Sequence, residues 1–202
     1  MKITAVTVYC GSGPGNDPAF VKSGHDLGET LAREKVRGIF GGGTIGVMGA
    51  FGSAVLNYGG HLTAVIPKIL VDHEQPIGAK EGHHVHSSNY ELIVTKDLYE
   101  RKKQFRNGDG FVVLAGGVGT RDELWEEITG IQIGDHQKPI VVVNTLDTFK
   151  YVLLDIEHMR RQKFIRTGLE FENLFAVVDD ISEVLPNLRR MSGEKNVGKH
   201  RV

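Results

Sequence analysis

Short apolar runs rich in Val and Ile alternate with longer helix-patterned stretches along almost the whole chain, and no other feature constrains the fold as tightly. The runs at 3–9, 36–40, 62–66, 92–95, 111–114, 140–143 and 174–178 read as strands. Several are apolar throughout instead of alternating, the pattern of strands covered on both faces. The stretches at 18–34, 45–58, 97–107, 120–133, 148–162 and 181–190 read as helices between them. Such alternation implies right-handed crossovers and predicts an α/β fold: a doubly wound, mostly parallel, Rossmann-like sheet of about seven strands flanked by helices. Residues 1–190 read as one domain. The segment 67–89 breaks the rhythm with Pro67, Pro76, Gly78, Gly82 and the histidines His73, His83, His84 and His86. A structureless connection of that length suggests a functional or partner-contacting loop. The polar, basic stretch 191–202 reads as a flexible tail.

Charge and cysteine usage narrow the class. A net charge of −1 over 202 residues argues against nucleic acid as a partner, because counterion release needs a concentrated basic surface. Cys10 has no cysteine to pair with inside the chain, which points to a reducing compartment. The opening MKITAVTVYC enters a strand pattern at once, and no stretch approaches the roughly 18 uninterrupted apolar residues of a membrane span. The expectation is a cytoplasmic protein without membrane contact.

Glycine is placed unusually: many of the 26 glycines cluster at the ends of apolar runs, where tight turns and close backbone approach call for them. The first cluster, Gly41-Gly42-Gly43-Thr44-Ile45-Gly46-Val47-Met48-Gly49, lies between a strand and a helix. Its start matches the G-x-G-x-x-G dinucleotide fingerprint. That reading also needs an acidic residue at the end of the next strand, where this chain has Pro67-Lys68, so a nicotinamide cofactor is disfavoured. Glycines followed by free N–H groups at a helix start still suit an anion. The second cluster, Leu114-Ala115-Gly116-Gly117-Val118-Gly119-Thr120-Arg121-Asp122-Glu123, again joins strand to helix. In open α/β sheets ligands sit beyond the carboxyl ends of the strands, where both clusters fall. Thr120 can cap the helix or reach a phosphate. Glu123 sits near the helix start with Glu126 a turn later; Glu126 and Glu127 read equally well as solvated residues. A third element, Asp97–Lys103, carries Arg101 away from a strand end, so that its guanidinium can pair with phosphate or with Glu123, while Lys103 reads as solvated.

Taken together these segments resemble the LOG family, the cytokinin riboside 5′-monophosphate phosphoribohydrolases often labelled lysine decarboxylases. Gly116–Glu123 matches the family's G-G-x-G-T-x-x-E signature, Gly41–Gly49 its G-G-G-x-x-G-x-M-G turn, Ile66-Pro67-Lys68 its I-P-K segment and Arg101-Lys102 its R-K pair. Tyr9-Cys10-Gly11-Ser12, Gln132, Gly134, Lys138-Pro139 and Asn144 fit as well. Where the family usually has Pro, Met-His and Trp, this chain has Ala115, Leu98-Tyr99 and Gly130; the last two lie where the base is expected to pack, which leaves base identity open.

The resemblance implies hydrolysis of the N-glycosidic bond of a nucleoside 5′-monophosphate, AMP or an N6-substituted analogue, to free base and ribose 5-phosphate, with no cofactor and no metal. It implies Arg101 and Glu123 as catalytic residues. Substrate contacts would come from Gly11, Ser12, Gly42, Gly43, Thr44, Gly46, Met48, Lys102, Gly117, Val118, Gly119, Thr120 and Glu126. N–H groups of 43–46 and 117–120 would hold the phosphate. It also implies a homodimer or larger homo-oligomer. The rival readings are a non-catalytic carrier of a nucleotide or phosphorylated pterin, like the molybdenum-cofactor carriers; a pyridoxal-phosphate decarboxylase, for which Lys68 has no fitting company; and a metal site at His83–His86, which lacks a completing Cys or carboxylate.

Overall fold

The computed structural model describes residues 2–74, 76, 88–165 and 175–193. Strands β1 (Ala5–Tyr9), β2 (Arg37–Phe40), β3 (Leu62–Pro67), β4 (Tyr90–Thr95), β5 (Gly110–Val113), β6 (Ile140–Val143) and β7 (Phe175–Val178) form one sheet in the order β4-β3-β2-β1-β5-β6-β7. Each neighbouring pair runs parallel. Helices α1 (Pro18–Arg33), α2 (Gly46–Asn57), α3 (Val71–Glu74), α4 (Leu98–Phe105), α5 (Val118–Ile133), α6 (Lys150–Arg161) and α7 (Val184–Met191) connect or follow the strands.

Strand side chains alternate between faces, so an apolar strand feeds two cores at once. Val6 and Val8 of β1 join Leu27 and Leu31 of α1, Phe51 of α2 and Leu188 of α7 in one layer. Tyr9 joins Phe105 of α4, Leu124 and Ile128 of α5 and Ile156 of α6 in the other. This explains why the strands lack polar alternation. No helix among the described residues is long and apolar enough to cross a membrane.

The strand order reverses between β1 and β5, the topological switch point where such sheets leave a crevice at the carboxyl ends of their strands. Here the two strands stay stitched together past their ends: Leu114 N–H donates to the Tyr9 carbonyl at 2.9 Å and Gly11 N–H to the Ala115 carbonyl at 3.0 Å. The turns that follow β1 and β5 are thereby held side by side.

Element boundaries depart from the sequence reading where local chemistry intervenes. Helix α5 begins at Val118, earlier than expected, because Gly117 is its N-cap; the end of the glycine turn is the first turn of the helix. Helix α6 begins only at Lys150, after a 3-10 turn in which Leu146 and Asp147 take left-handed backbone angles. The expected last helix divides into a 3-10 turn, Ile181–Glu183, capped by Asp180, and α7, which extends to Met191. The start of the expected 67–89 loop is a 3-10 turn, Lys68–Leu70, running into α3. His83, His84, His86, Leu174 and residues 194–202 lie outside the described residues.

Candidate active site

A cavity of about 490 Å³ opens at the switch point. Its floor is the Cys10–Gly13 turn after β1, and its walls come from Phe20 of α1, Val47 and Met48 of α2, Leu70, Arg101 of α4, Thr148, and Ala115–Thr120 with Glu123 of α5. Of the expected site residues, Gly11, Ser12, Met48, Arg101, Gly117, Val118, Gly119, Thr120 and Glu123 meet here. Phe20, Leu70 and Thr148 carried no local signal, since each reaches the cavity only through tertiary packing.

The second glycine turn is built for close approach. A Cβ on Gly116 would lie 2.1 Å from Thr120 Oγ1 and 2.8 Å from the Gly11 nitrogen, so no side chain fits. Thr120 is buried beneath the turn while Gly117, Val118 and Gly119 are exposed. The N–H groups of Val118, Gly119 and Thr120 have no acceptor among the described residues. Unpaired N–H groups together with the positive end of the helix dipole make this turn an anion-binding nest.

Arg101 and Glu123 form an ion pair inside the cavity wall, with Arg101 Nη1 3.3 Å from Glu123 Oε1 and both side chains largely buried. Arg101 is held from two further sides: its Nε donates to the Val65 carbonyl at 3.2 Å, and its guanidinium lies 4.7 Å from the centroid of the Phe105 ring. Burial pushes the Glu123 carboxyl up to about 7, against the opposing pull of Arg101. A carboxyl poised there exchanges a proton readily at neutral pH. Burial likewise raises the Cys10 thiol well above its ordinary value, which leaves it a protonated wall residue.

Of the first glycine turn, expected to present N–H groups of 43–46 to phosphate, Val47 and Met48 line the cavity. Gly42, Gly43, Thr44 and Gly46 are absent from the cavity lining. The Gly43 N–H donates to Met48 Sδ at 3.1 Å, and the N–H groups of Val47 and Met48 donate to the carbonyls of Gly13 and Gly11 at 3.4 and 3.0 Å. The start of α2 therefore braces the Gly11–Gly13 turn. Gly46 has φ +64°, and a Cβ there would lie 2.2 Å from the Ser12 carbonyl oxygen. We expect Gly46→Ala to lower stability by about 2 kcal/mol or more, roughly 6 °C in Tm, as read by thermal unfolding.

Lys102 and Glu126, also expected in the site, pair with each other instead. Lys102 Nζ lies 3.0 Å from Asp122 Oδ2 and 2.6 Å from Glu126 Oε2, a cluster that ties α4 to α5 outside the cavity. Lys103 is exposed, its ammonium 4.3 Å from the Tyr99 ring centroid. Glu127 corrects the reading of a solvated pair: it is buried, accepting from the Tyr9 hydroxyl at 2.9 Å, with His136 Nε2 2.9 Å from its other oxygen. The signal was present, since position 127 shares a helix face with Leu124, Ile128 and Ile131. Leu98 and Tyr99 are exposed and Gly130 lies deep in α5 beside His136, so none of the three reaches this cavity. Lys68 is exposed and also lies outside the lining. No group of three or more metal-ligating side chains occurs among the described residues.

With this geometry in view, comparison with known proteins is decisive for kinship. Residues 48–188 match the family model described as "Possible lysine decarboxylase". The cytokinin riboside 5′-monophosphate phosphoribohydrolase of Rhodococcoides fascians is 35% identical over 162 residues, covering 80% of this chain and 78% of that protein. The chain belongs to the LOG family. A second LOG protein, the Arabidopsis thaliana cytokinin riboside 5′-monophosphate phosphoribohydrolase LOG5, is 34% identical over 184 residues, 91% of this chain and 76% of that one. The LOG fold extends further: the Moco carrier protein of Chlamydomonas reinhardtii superposes with a TM-score of 0.64 over 96% of this chain and 100% of that one, at 17% identity, a likeness of fold alone.

Proposed function

We propose that this LOG-family chain is a nucleoside 5′-monophosphate phosphoribohydrolase, cleaving the bond between base and C1′ of AMP or an N6-substituted AMP. The observation that carries the reading is the buried Arg101–Glu123 pair in the wall of a cavity whose adjoining wall is the anion nest at Val118–Thr120. The nest takes the 5′-phosphate, which lays the ribose across Glu123. As the C1′–N bond breaks, its electron pair leaves with the base and positive charge builds on the ribose ring, as in other glycosyl cleavages. The Glu123 carboxylate stabilises that charge and removes a proton from the water whose oxygen bonds to C1′; the departing base gains one proton. The sum is nucleotide plus water giving free base plus ribose 5-phosphate. Arg101 holds the Glu123 carboxylate in the ionised form this step needs. The relatives' names, which specify cytokinin riboside 5′-monophosphates, support this substrate class.

The test is a panel of nucleoside 5′-monophosphates, including AMP and N6-isopentenyl-AMP, with released base quantified by chromatography. Release of an adenine-type base supports the reading. Intact recovery of every nucleotide refutes it and favours a carrier.

A further inference from the structure

Immediately after the anion nest, Arg121 is held in a way that its position in the sequence does not explain. The family signature leaves this position open. The guanidinium Nη1 donates to the Gly116 carbonyl and, at 3.3 Å, to the Gly117 carbonyl, while Nη2 donates to the Thr148 carbonyl at 3.1 Å. Its Cζ lies 5.3 Å from the Phe149 ring centroid. Each contact is to a neutral group. Among the described residues no carboxylate lies within ion-pair distance of Arg121, whereas Arg101 and Lys102 in α4 and Arg106 at its C-cap all have acidic partners.

Two consequences follow from elementary geometry and charge. In a trans peptide unit the carbonyl and the next residue's N–H point in opposite directions. A grip on the Gly116 and Gly117 carbonyls therefore turns the N–H groups of Gly117 and Val118 away from Arg121. Both residues line the cavity and Arg121 does not, so those N–H groups are turned toward the cavity side. The Gly117 carbonyl also accepts from the Arg121 N–H at 3.2 Å as α5 begins, so the orientation that the guanidinium itself adds is that of the Gly116–Gly117 peptide, which glycine would otherwise leave free to turn. The same fork reaches Thr148, another lining residue, and so ties the nest to a second segment of the cavity wall. Second, the positive charge of Arg121 adds to the helix dipole, and among the described residues no carboxylate is within ion-pair distance of it.

We infer that Arg121 is a positioning residue that fixes the Gly116–Val118 peptides, the leading edge of the Val118–Thr120 phosphate nest, and sets a positive charge without a paired carboxylate among the described residues beside the substrate's 5′-phosphate. This rests on the phosphoribohydrolase reading above. Arg121→Met removes fork and charge, and Arg121→Lys keeps the charge but loses the fork. We expect Arg121→Met to raise KM for AMP at least about tenfold while kcat falls by less, with Arg121→Lys in between.

The discriminating readout is the ratio of kcat/KM for AMP to that for adenosine, measured for folded variants checked by circular dichroism. A fall in that ratio of about tenfold or more supports the inference. Equal losses on AMP and adenosine would mean that Arg121 merely supports the fold, and would overturn it. AMP binding, followed by calorimetry for wild type and Arg121→Met, separates the two readings. If the wild type binds AMP but releases no base, the enzymatic reading fails, and a weaker AMP affinity in the variant still upholds the role of Arg121. Unchanged AMP affinity in the variant contradicts that role whatever the activity.

Discussion

Glu123→Gln is expected to lower kcat for base release by about a thousandfold while leaving AMP affinity within a few-fold of wild type. General base and charge-stabilising roles each contribute on this scale, and an amide can do neither, although it keeps the shape of the carboxyl. The binding half of the prediction follows because the nest at Val118–Thr120 is backbone and remains in place. In the wild type the ionised carboxyl is the working form, so kcat/KM should fall as pH drops through about 7, the value to which burial raises Glu123. The variant should lack that limb in whatever residual activity it retains.

The same shift separates chemistry from folding. A carboxyl whose value is raised on folding holds its proton more tightly in the native state than in the unfolded chain. Its contribution to stability is then fully present below about pH 4.5 and is lost as pH rises through about 7. Near pH 8 the buried carboxylate should destabilise the wild type by on the order of 3 kcal/mol relative to acid, a loss that Glu123→Gln escapes. Thermal unfolding at pH 5 and pH 8 checks this: the variant should gain on the wild type at the higher pH. A variant that is inactive yet no less stable at pH 8 has lost chemistry and kept its fold.

Arg101→Met should be the second most damaging change. Arg101 is the chief influence holding the Glu123 carboxyl down, while burial, Asp122 and Glu126 push it up. Without the guanidinium the carboxyl keeps its proton at neutral pH in preference to standing buried and unpaired. Activity at pH 7 should fall by about a hundredfold or more, and the acid limb of the pH–rate profile should move upward by at least about one pH unit. A profile lower in height but unmoved along the pH axis would mean that Arg101 acts on the substrate and not on Glu123.

Much of the fold was legible because it rests on local periodicity: apolar strands, helical spacing and glycine at strand ends all follow from the chain within a few residues. The meeting of the Gly116 turn with Glu123 was legible for the same reason, since both lie on one strand–helix junction. Pairing of Arg101 with Glu123 could be anticipated from the strand ends that position them. Other features depend on contacts between distant segments. That the start of α2 spends its N–H groups on the Gly11–Gly13 turn, and that Lys102 turns to Asp122 and Glu126, are decided by packing across the sheet. Arg121 in particular carries no signal in the sequence, because the Thr148 carbonyl that anchors it lies 27 residues away.

The bond between the base and C1′ is where the proposed activity is decided. Incubating the wild-type protein and Glu123→Gln with AMP and with N6-isopentenyl-AMP at pH 8, and quantifying free base and ribose 5-phosphate, tests it most directly. The expected result is equimolar formation of both products from at least one of the two nucleotides by the wild type and at most a trace from the variant. Recovery of both AMP and N6-isopentenyl-AMP intact from the wild type, or equal base release by the variant, would contradict it.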